Sequence, residues 1–302
     1  AIVAGAGALW FFLICKERVM QSVETPSVKA SIKSIINNKP ILLMTLSQIL
    51  GSFAVGGSKQ DYYIDVLNFA SLGLITGIPG AIINPFSYMA VPWFRRHFSS
   101  RFLYIIGNKI DGILLVPVFL VGCIGGKKHG LYKNIWVMGI AMMLWETIFM
   151  IFYGVRRIIP TEMYNEAMDY CEWKNGYRTE GMTSVAQGLA SKLANIFSRY
   201  ISNYIKQLIG YDLTRYVRGT AQTDETKFGL FAMFTIVPFL TGMVSIIPML
   251  FYDLSGKKKE KMYEELLERR AAMSKEATSG DLEALERLAK AQMEIGNMKQ
   301  EL

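Results

Sequence analysis

The chain has 302 residues, of which 51% are hydrophobic and 19% are charged, and its formal net charge is +8. The charge is unevenly distributed: charged side chains are frequent from Gly256 to Leu302, whereas Glu146 is the only one between Ile135 and Tyr153. Long uncharged stretches that alternate with short basic ones are typical of a polytopic membrane protein, and they exclude a soluble globular enzyme as the main interpretation.

Basic residues lie mostly in the short segments between apolar stretches, so membrane topology explains the positive charge better than binding to nucleic acid does. The three cysteines lie far apart, and there are two histidines. This predicts neither a disulfide framework nor a Cys/His metal site. With no predicted strands, there is also no glycine-rich phosphate loop after a strand, and no Ser-His-Asp arrangement is recognisable. The sequence therefore predicts no enzyme activity, no catalytic residues and no cofactor.

The chain opens with an apolar stretch, Ala1–Cys15, which has no preceding methionine or basic segment and is followed by Lys16 and Arg18. This pattern differs from a signal peptide, and it predicts the cytoplasmic end of a membrane helix whose beginning is missing. A polar linker over 16–39 follows. We therefore expect a fragment of a longer protein.

Six further apolar stretches are long enough to cross a bilayer, which takes about 20 residues. They are Ile41–Tyr63, Val66–Phe94, Phe102–Gly125, Ile135–Ile158, Met182–Ile209 and Phe228–Tyr252. Their short separators predict an all-α bundle of antiparallel membrane helices. Glycines and prolines recur within the spans, which indicates close helix packing or the flexible helices of a transporter.

Orientation follows from the loops, because Lys and Arg are more numerous on one side and the positive-inside rule places that side in the cytoplasm. The tail from Gly256 lies on this side, so we expect it to be cytoplasmic. Good helix formers predict helices over Lys257–Met273 and Asp281–Met298, as a surface extension on the membrane or on the bundle.

The span Met182–Ile209 carries polar side chains at intervals of three or four residues, which places them on one helix face. They are Lys192, Asn195, Arg199, Ser202 and Lys206. Lipid cannot solvate that face, so we expect it to line the bundle interior or a water-filled pathway. As alternatives, Arg199 pairs structurally inside the bundle and Lys206 extends to the outer interface.

Glu146 is the only acidic residue in the middle of its span, and we expect it to pair with Arg199 or Lys192. Such a pair is either structural or exchanged during transport. It is therefore a candidate residue of the pathway.

Other charged residues lie near the predicted span ends. Lys109 and Asp111 are expected to extend to the cytoplasmic interface. Arg156 and Arg157 satisfy the positive-inside bias, and they gain functional interest only if their helix continues to Met163.

A longer motif runs from Asn165 to Gly181 and reads N-E-A-M-D-Y-C-E-W-K-N-G-Y-R-T-E-G. It resembles the loop between transmembrane helices 10 and 11 of the glycoside–pentoside–hexuronide cation symporters, which belong to the major facilitator superfamily. The positions that fit are Asp169, Tyr170, Glu172, Trp173, Lys174, Gly176, Arg178, Glu180 and Gly181. Asn165, Glu166 and Asn175 depart from the pattern. Further similarities are Asn38-Lys-Pro40, Ser47-Gln48 and Ile209-Gly-Tyr211.

The resemblance implies the C-terminal six-helix half of a major facilitator superfamily transporter, whose partners are the N-terminal half and the lipid bilayer of the cell membrane. Residues 1–15 would end helix 6, 16–39 would form the central cytoplasmic loop, 40–252 would contain helices 7–12, and 253–302 would be the cytoplasmic tail. The implied function is symport of a sugar or glycoside with Na⁺ or H⁺ by alternating access, with the cation site largely in the missing half.

The resemblance also implies roles for single residues. The cytoplasmic gate would contain Asp169, Tyr170, Glu172, Lys174, Arg178 and Glu180, with salt bridges that form and break. Lys192 would lie near the sugar and cation sites. The remaining pathway candidates are Arg199, Asn195, Glu146, Trp145, Gln48 and Tyr62, where the aromatic rings either stack on a sugar or pack structurally. The excess of cations on this helix 11 suggests an anionic sugar such as a uronide.

Two other functions remain open at this point. One is a major facilitator carrier of a lipid or another amphiphile. The other is a non-transporting membrane scaffold or sensor that binds a partner through its charged tail. Deletion of 256–302 would separate transport, which we expect to survive, from a scaffold function, which would be lost.

Overall fold

The computed structural model describes residues 36–176, 178, 180–212 and 221–279, together with Trp10, Ile14 and Lys33. The predicted second tail helix, Asp281–Met298, lies outside the described residues, as do nearly all of the apolar stretch 1–15 and of the linker up to residue 35. The chain divides into two compact units. The larger contains 38–167 and 181–253, and the smaller contains 1–37, 168–180 and 254–302.

The described residues form helices joined by turns, without a strand, which confirms the predicted all-α class. The helices are α1 (Lys39–Ser52), α2 (Lys59–Asp61), α3 (Leu72–His97), α4 (Ser100–Cys123), α5 (Gly126–His129), α6 (Ile135–Ile151), α7 (Tyr153–Asn175), α8 (Glu180–Leu208), α9 (Asp224–Gly242), α10 (Ile247–Leu250) and α11 (Lys257–Ser279). A π-helical turn, Tyr62–Val66, continues α2.

Within the described part of the chain, four helical stretches are long and apolar enough to cross a membrane. They are Leu72–His97, Ser100–Cys123, Ile135–Asn175 and Asp224–Leu250. The third is longer than the predicted span Ile135–Ile158, because α7 continues as a helix to Asn175. α8 is long enough as well, but Lys192, Arg199 and Lys206 lower its hydropathy. The chain is therefore a multi-pass membrane protein.

Aromatic side chains form the core of the larger unit. The ring centroids of Tyr62 and Phe231 are 5.3 Å apart, and those of Tyr132 and Phe231 are 5.4 Å apart. The Tyr62 hydroxyl donates a hydrogen bond to the Tyr132 carbonyl oxygen at 2.7 Å. Close packing and satisfied hydroxyl groups stabilise such a core where lipid offers no hydrophobic driving force between helices.

Asn38 explains the Asn38-Lys-Pro40 motif at the start of α1. Its side-chain oxygen accepts a hydrogen bond from the Ile41 amide at 3.1 Å and so caps the helix. Its side-chain nitrogen donates to the Ala167 carbonyl oxygen at 2.8 Å. Pro40 lies in the first turn, where its missing N–H leaves no helical bond unmade. The motif thus begins α1 and attaches it to α7.

The predicted continuous span Ile41–Tyr63 is wrong, because α1 ends at Ser52 and α2 begins only at Lys59. At 1.5 Å per residue the helix α1 is about 21 Å long, which is shorter than a hydrocarbon core of about 30 Å. Non-helical backbone at membrane depth is tolerated only where protein or water satisfies its polar groups. The interruption over 53–58 therefore needs partners from other helices.

Two helices supply those partners. From α8, the Ser198 hydroxyl donates to the Ala54 carbonyl oxygen at 2.7 Å, and the Ser202 hydroxyl accepts from the Gly56 amide at 3.3 Å. From α9, the Met233 carbonyl oxygen accepts from the Gly57 amide at 2.7 Å, and Thr241 bonds both backbone groups of Val55.

The close approach of the interruption to α9 predicts that Gly56 tolerates no larger side chain. A Cβ atom at Gly56 would lie 2.8 Å from the Cγ atom of Pro238, whose ring cannot rotate away. We expect Gly56→Ala to lower the free energy of unfolding by about 1–3 kcal/mol. The measurement is thermal unfolding of the full-length protein in detergent. Gly188→Ala in α8 is the control, because no described atom lies within 4 Å of its added Cβ. Equal stability of both variants would contradict the prediction.

Candidate functional site

A cavity of about 710 Å³ lies within the larger unit, among α1, α4, α7, α8 and the segment that joins α9 to α10. Its volume falls in the range of about 300–1,000 Å³ that is typical of small-molecule sites. Amide and hydroxyl groups contribute much of the lining, from Gln48, Asn108, Thr161, Tyr164, Gln187 and Asn195. Such groups suit the hydroxyl groups of a polar ligand.

Three cations also line this cavity: Lys109, Arg156 and Arg157. The Lys109 ammonium donates to the Gly242 carbonyl oxygen at 2.6 Å, whereas the expected extension of Lys109 to the membrane surface stays a prediction. The Gly242 carbonyl oxygen also accepts a hydrogen bond from the Ser245 hydroxyl at 2.9 Å, so Lys109 and Ser245 share one acceptor at the end of α9. Because α7 continues past Met163, the condition that gives Arg156 and Arg157 functional interest is met.

The predicted polar face of α8 is divided in the structure. Asn195 lines the first cavity, whereas Arg199 and Lys206 line a second cavity of about 460 Å³ beside the interruption. Lys192 is exposed on this chain and is absent from the lining of both cavities. The face is polar as predicted, but its residues lie in different environments.

The expected pairing of Glu146 with Arg199 or Lys192 is wrong. Its carboxylate instead forms an ion pair with Lys59 at 2.9 Å, and the Glu146 side chain is only 13% exposed. The interruption explains this partner, because it allows Lys59, at the start of α2, to contact α6. Trp145, the next residue, donates from its indole to the Asp111 carbonyl oxygen at 3.2 Å. Its ring lies 5.6 Å from the Lys59 ammonium and adds a cation–π contact.

Asp61 and Asp65 attach α2 and its π-helical turn to the end of α8. The Lys206 ammonium contacts the Asp61 carboxylate at 2.5 Å, so an ion pair holds this lysine against α2. The Tyr211 hydroxyl donates to the Asp65 carboxylate at 2.9 Å. Burial, followed by the hydrogen bond to Asp65, raises the pKa of the Tyr211 hydroxyl, which keeps it a donor. Gly210, with a φ of 73°, ends α8 so that Tyr211 turns back.

Two predicted pathway residues differ in accessibility. Tyr62 is fully buried in the aromatic core, so neither face of its ring is open to a sugar in this conformation. Gln48 is exposed and lines the first cavity. The structure thus brings Gln48 and Asn195 to one cavity, and it gives Tyr62 a packing role.

A cluster of charges forms in the smaller unit. The Arg178 guanidinium lies 3.0 Å from the Asp169 carboxylate and 3.6 Å from that of Glu172, and it also pairs with Glu180. Arg270 of α11 contacts Asp169 at 2.8 Å and Glu172 at 2.5 Å. The hydrogen bond to Glu172, followed by that to Asp169, outweighs burial and raises the pKa of Arg270, so this guanidinium stays charged.

The other predicted gate residues surround this cluster. Lys174 donates to the Asn37 carbonyl oxygen at 3.3 Å rather than to a carboxylate. Tyr170 packs on Trp173 with ring centroids 5.6 Å apart, and the Lys258 ammonium lies 5.4 Å from the Tyr170 ring.

Sequence reasoning missed Arg270, which contributes the ion pairs between α11 and the cluster, and Tyr263, whose hydroxyl donates to the Asp169 carboxylate at 3.4 Å. The only signal for Arg270 was the adjacent pair Arg269-Arg270 within a helix assigned to the surface.

Comparisons with known proteins give relatives that carry transport names. The "Glucuronide carrier protein homolog" of Escherichia coli is 23% identical over 275 residues, which is 88% of this chain and 56% of the relative. A "Putative sulfoquinovose importer" of Escherichia coli is 25% identical over 293 residues, 89% of this chain and 56% of the relative. The "Isoprimeverose transporter" of Lactiplantibacillus pentosus is 24% identical over 277 residues, 89% of this chain and 54% of the relative.

The chain spans about half the length of these curated relatives. The sequence model of the family described as "MFS/sugar transport protein" matches residues 1–256, which is most of the chain. This confirms the resemblance drawn from the loop motif at the level of the family. The apolar helices, the polar cavity and the family match agree, and the chain belongs to the MFS/sugar transport protein family.

Proposed function

We propose that the chain forms the C-terminal half of a symporter in the cell membrane that couples the uptake of a sugar or glycoside to a cation gradient. The polar cavity among otherwise apolar helices carries this proposal, because a membrane protein has no structural need for so many amide and hydroxyl groups around one space. Similar proteins are named after a glucuronide, sulfoquinovose or isoprimeverose, and these names support a sugar as the substrate. The N-terminal half would complete the pathway.

Alternating access requires helices that change conformation at a small cost in free energy. The interruption between α1 and α2 is suited to this, since hydroxyl groups that rotate freely satisfy several of its backbone groups. The ion pairs Lys59–Glu146 and Lys206–Asp61 hold α2 in the present conformation and are candidates for exchange. The coupling ion, Na⁺ or H⁺, is expected to bind largely in the N-terminal half.

The charge cluster of Asp169, Glu172, Arg178 and Arg270 is proposed as part of a cytoplasmic gate, with α11 in the cytoplasm as the positive-inside rule predicts. All four side chains are less than a third exposed, so their interactions are stronger than those of surface ion pairs. Deletion of 256–302 would therefore remove Arg270 from the cluster. Under this proposal the deletion alters transport rather than leaving it unchanged.

The proposed symport predicts accumulation of sugar against its gradient. The full-length protein in proteoliposomes is given an inward Na⁺ or H⁺ gradient and a panel of a uronide, a sulfonated sugar and neutral glycosides. We expect accumulation above equilibrium for at least one sugar and loss of it when an ionophore dissipates the gradient. Equilibration without accumulation would contradict cation coupling. Transport of a lipid without any sugar would support the amphiphile carrier instead.

The proposed gate predicts that Arg270→Ala loosens the end of α7. Losing hydrogen bonds to two carboxylates costs about 1.5–3 kcal/mol, which corresponds to an approximately tenfold to hundredfold faster amide exchange. The measurement is hydrogen–deuterium exchange of 169–176 in the full-length protein, together with the rate of uptake.

Lys261→Ala is the matched control for this variant, because Lys261 is exposed on the same helix and its contact with Glu265 is 3.9 Å long. Equal exchange in the two variants would argue against a role of Arg270 in closing the gate.

A further inference from the structure

The 710 Å³ cavity has an unbalanced charge. Three cations line it, Lys109, Arg156 and Arg157, and none of the described residues of its lining is acidic. Transfer of a charge out of water is costly unless an opposite charge accompanies it. The positive charge of this cavity therefore favours the binding of an anion.

Arg156 carries the strongest evidence. The central carbon of its guanidinium lies 5.3 Å from the centroid of the Phe149 ring, a cation–π contact that neutralises no charge. Within the described part of the chain it forms no ion pair and no side-chain hydrogen bond. Arg156 is half-buried on α7 and lines the cavity, so its guanidinium is accessible to a ligand there.

The other two cations are fixed by neutral groups. Lys109 donates to the Gly242 carbonyl oxygen, and Arg157 donates through its Nε atom to the Tyr153 hydroxyl at 3.1 Å. Neither contact neutralises a charge. Both side chains are thus held in place while their charge remains available to a ligand.

Asp111 is the carboxylate that acts on this cluster from outside the lining. It lies within electrostatic range of Lys109, Arg156, Lys59 and Glu146, and its Oδ1 atom is buried without a hydrogen-bond partner. One carboxylate does not balance three cations, and it is shared with Lys59. A net positive charge therefore remains at the cavity.

We propose that Lys109, Arg156 and Arg157 bind the acidic group, a carboxylate or a sulfonate, of a sugar acid, an inference that rests on the sugar transport proposed above. Guanidinium groups bind planar or oxygen-rich anions through paired, charge-assisted hydrogen bonds. The amides of Gln48 and Asn195 in the same lining suit the sugar hydroxyls. Under this proposal, residues of α4 and α7 bind the anion, whereas the sequence suggested the cationic face of α8.

The test compares a methyl glucuronide with the matching neutral methyl glucoside, and adds a sulfonated hexose as a third ligand. Uptake and direct binding are measured with the full-length protein and with Arg156→Gln, Arg156→Lys and Lys109→Gln. We expect Arg156→Gln to raise KM and Kd for the charged sugars about tenfold to a hundredfold, to change those for the glucoside less than threefold, and to be partly rescued by Arg156→Lys. Preference for the carboxylate or the sulfonate identifies the acidic group.

Arg96→Gln is the control, because Arg96 is exposed at the end of α3 and lies outside both cavity linings. An equal loss for charged and neutral sugars in Arg156→Gln would overturn the proposal, as would a charge-specific loss in Lys192→Gln alone. If inorganic phosphate binds purified protein as tightly as the glucuronide, the cluster is a general anion site and the proposal fails. Transport of neutral glycosides without binding of any sugar acid overturns this inference and leaves the symport intact, whereas absence of all sugar uptake overturns the symport itself.

Discussion

The hydrocarbon core of a membrane offers no hydrogen bonds, and the larger unit depends on how this constraint is met at residues 53–58. Ser198 and Ser202 of α8 and the backbone and Thr241 of α9 supply the partners that lipid cannot. Packing of α8 and α9 against α1 is consequently a requirement for burying the interruption. The interruption in turn determines where Lys59 begins the next helix.

The ion pairs of the larger unit follow from that arrangement. Lys59 pairs with Glu146 of α6, and Asp61, two residues later, pairs with Lys206 of α8. The three-residue helix α2 is thereby attached to α6 through its lysine and to α8 through its aspartate. Where pairing is incomplete, as at Lys109, Arg156 and Arg157, the excess charge lines an open cavity. Among the described residues, the first cavity is thus lined by cations that form no ion pair.

The sequence predicted those features that depend on local composition. Apolar stretches predicted most of the helices, and the spacing of Asn195 and Arg199 predicted a polar face on α8. The interruption was missed because Gly56 and Gly57 lie in an apolar stretch, and hydropathy does not record backbone hydrogen bonds. Lys59, the partner of Glu146, lies 87 residues away in the chain, and Arg270 lies 101 residues from its partner Asp169, and spacing rules do not reach such distances. Local patterns consequently predicted which residues are polar but not what they contact.

The interruption also has a consequence for biosynthesis. Ser198 and Thr241 follow their partners Ala54 and Val55 by 144 and 186 residues. During synthesis, the backbone of 53–58 therefore emerges long before the hydroxyl groups that satisfy it exist. This segment must stay hydrated, or shielded by the insertion machinery, until α9 has been made. The first apolar stretch of the unit to be synthesised is thus among the last to be fully integrated into the membrane.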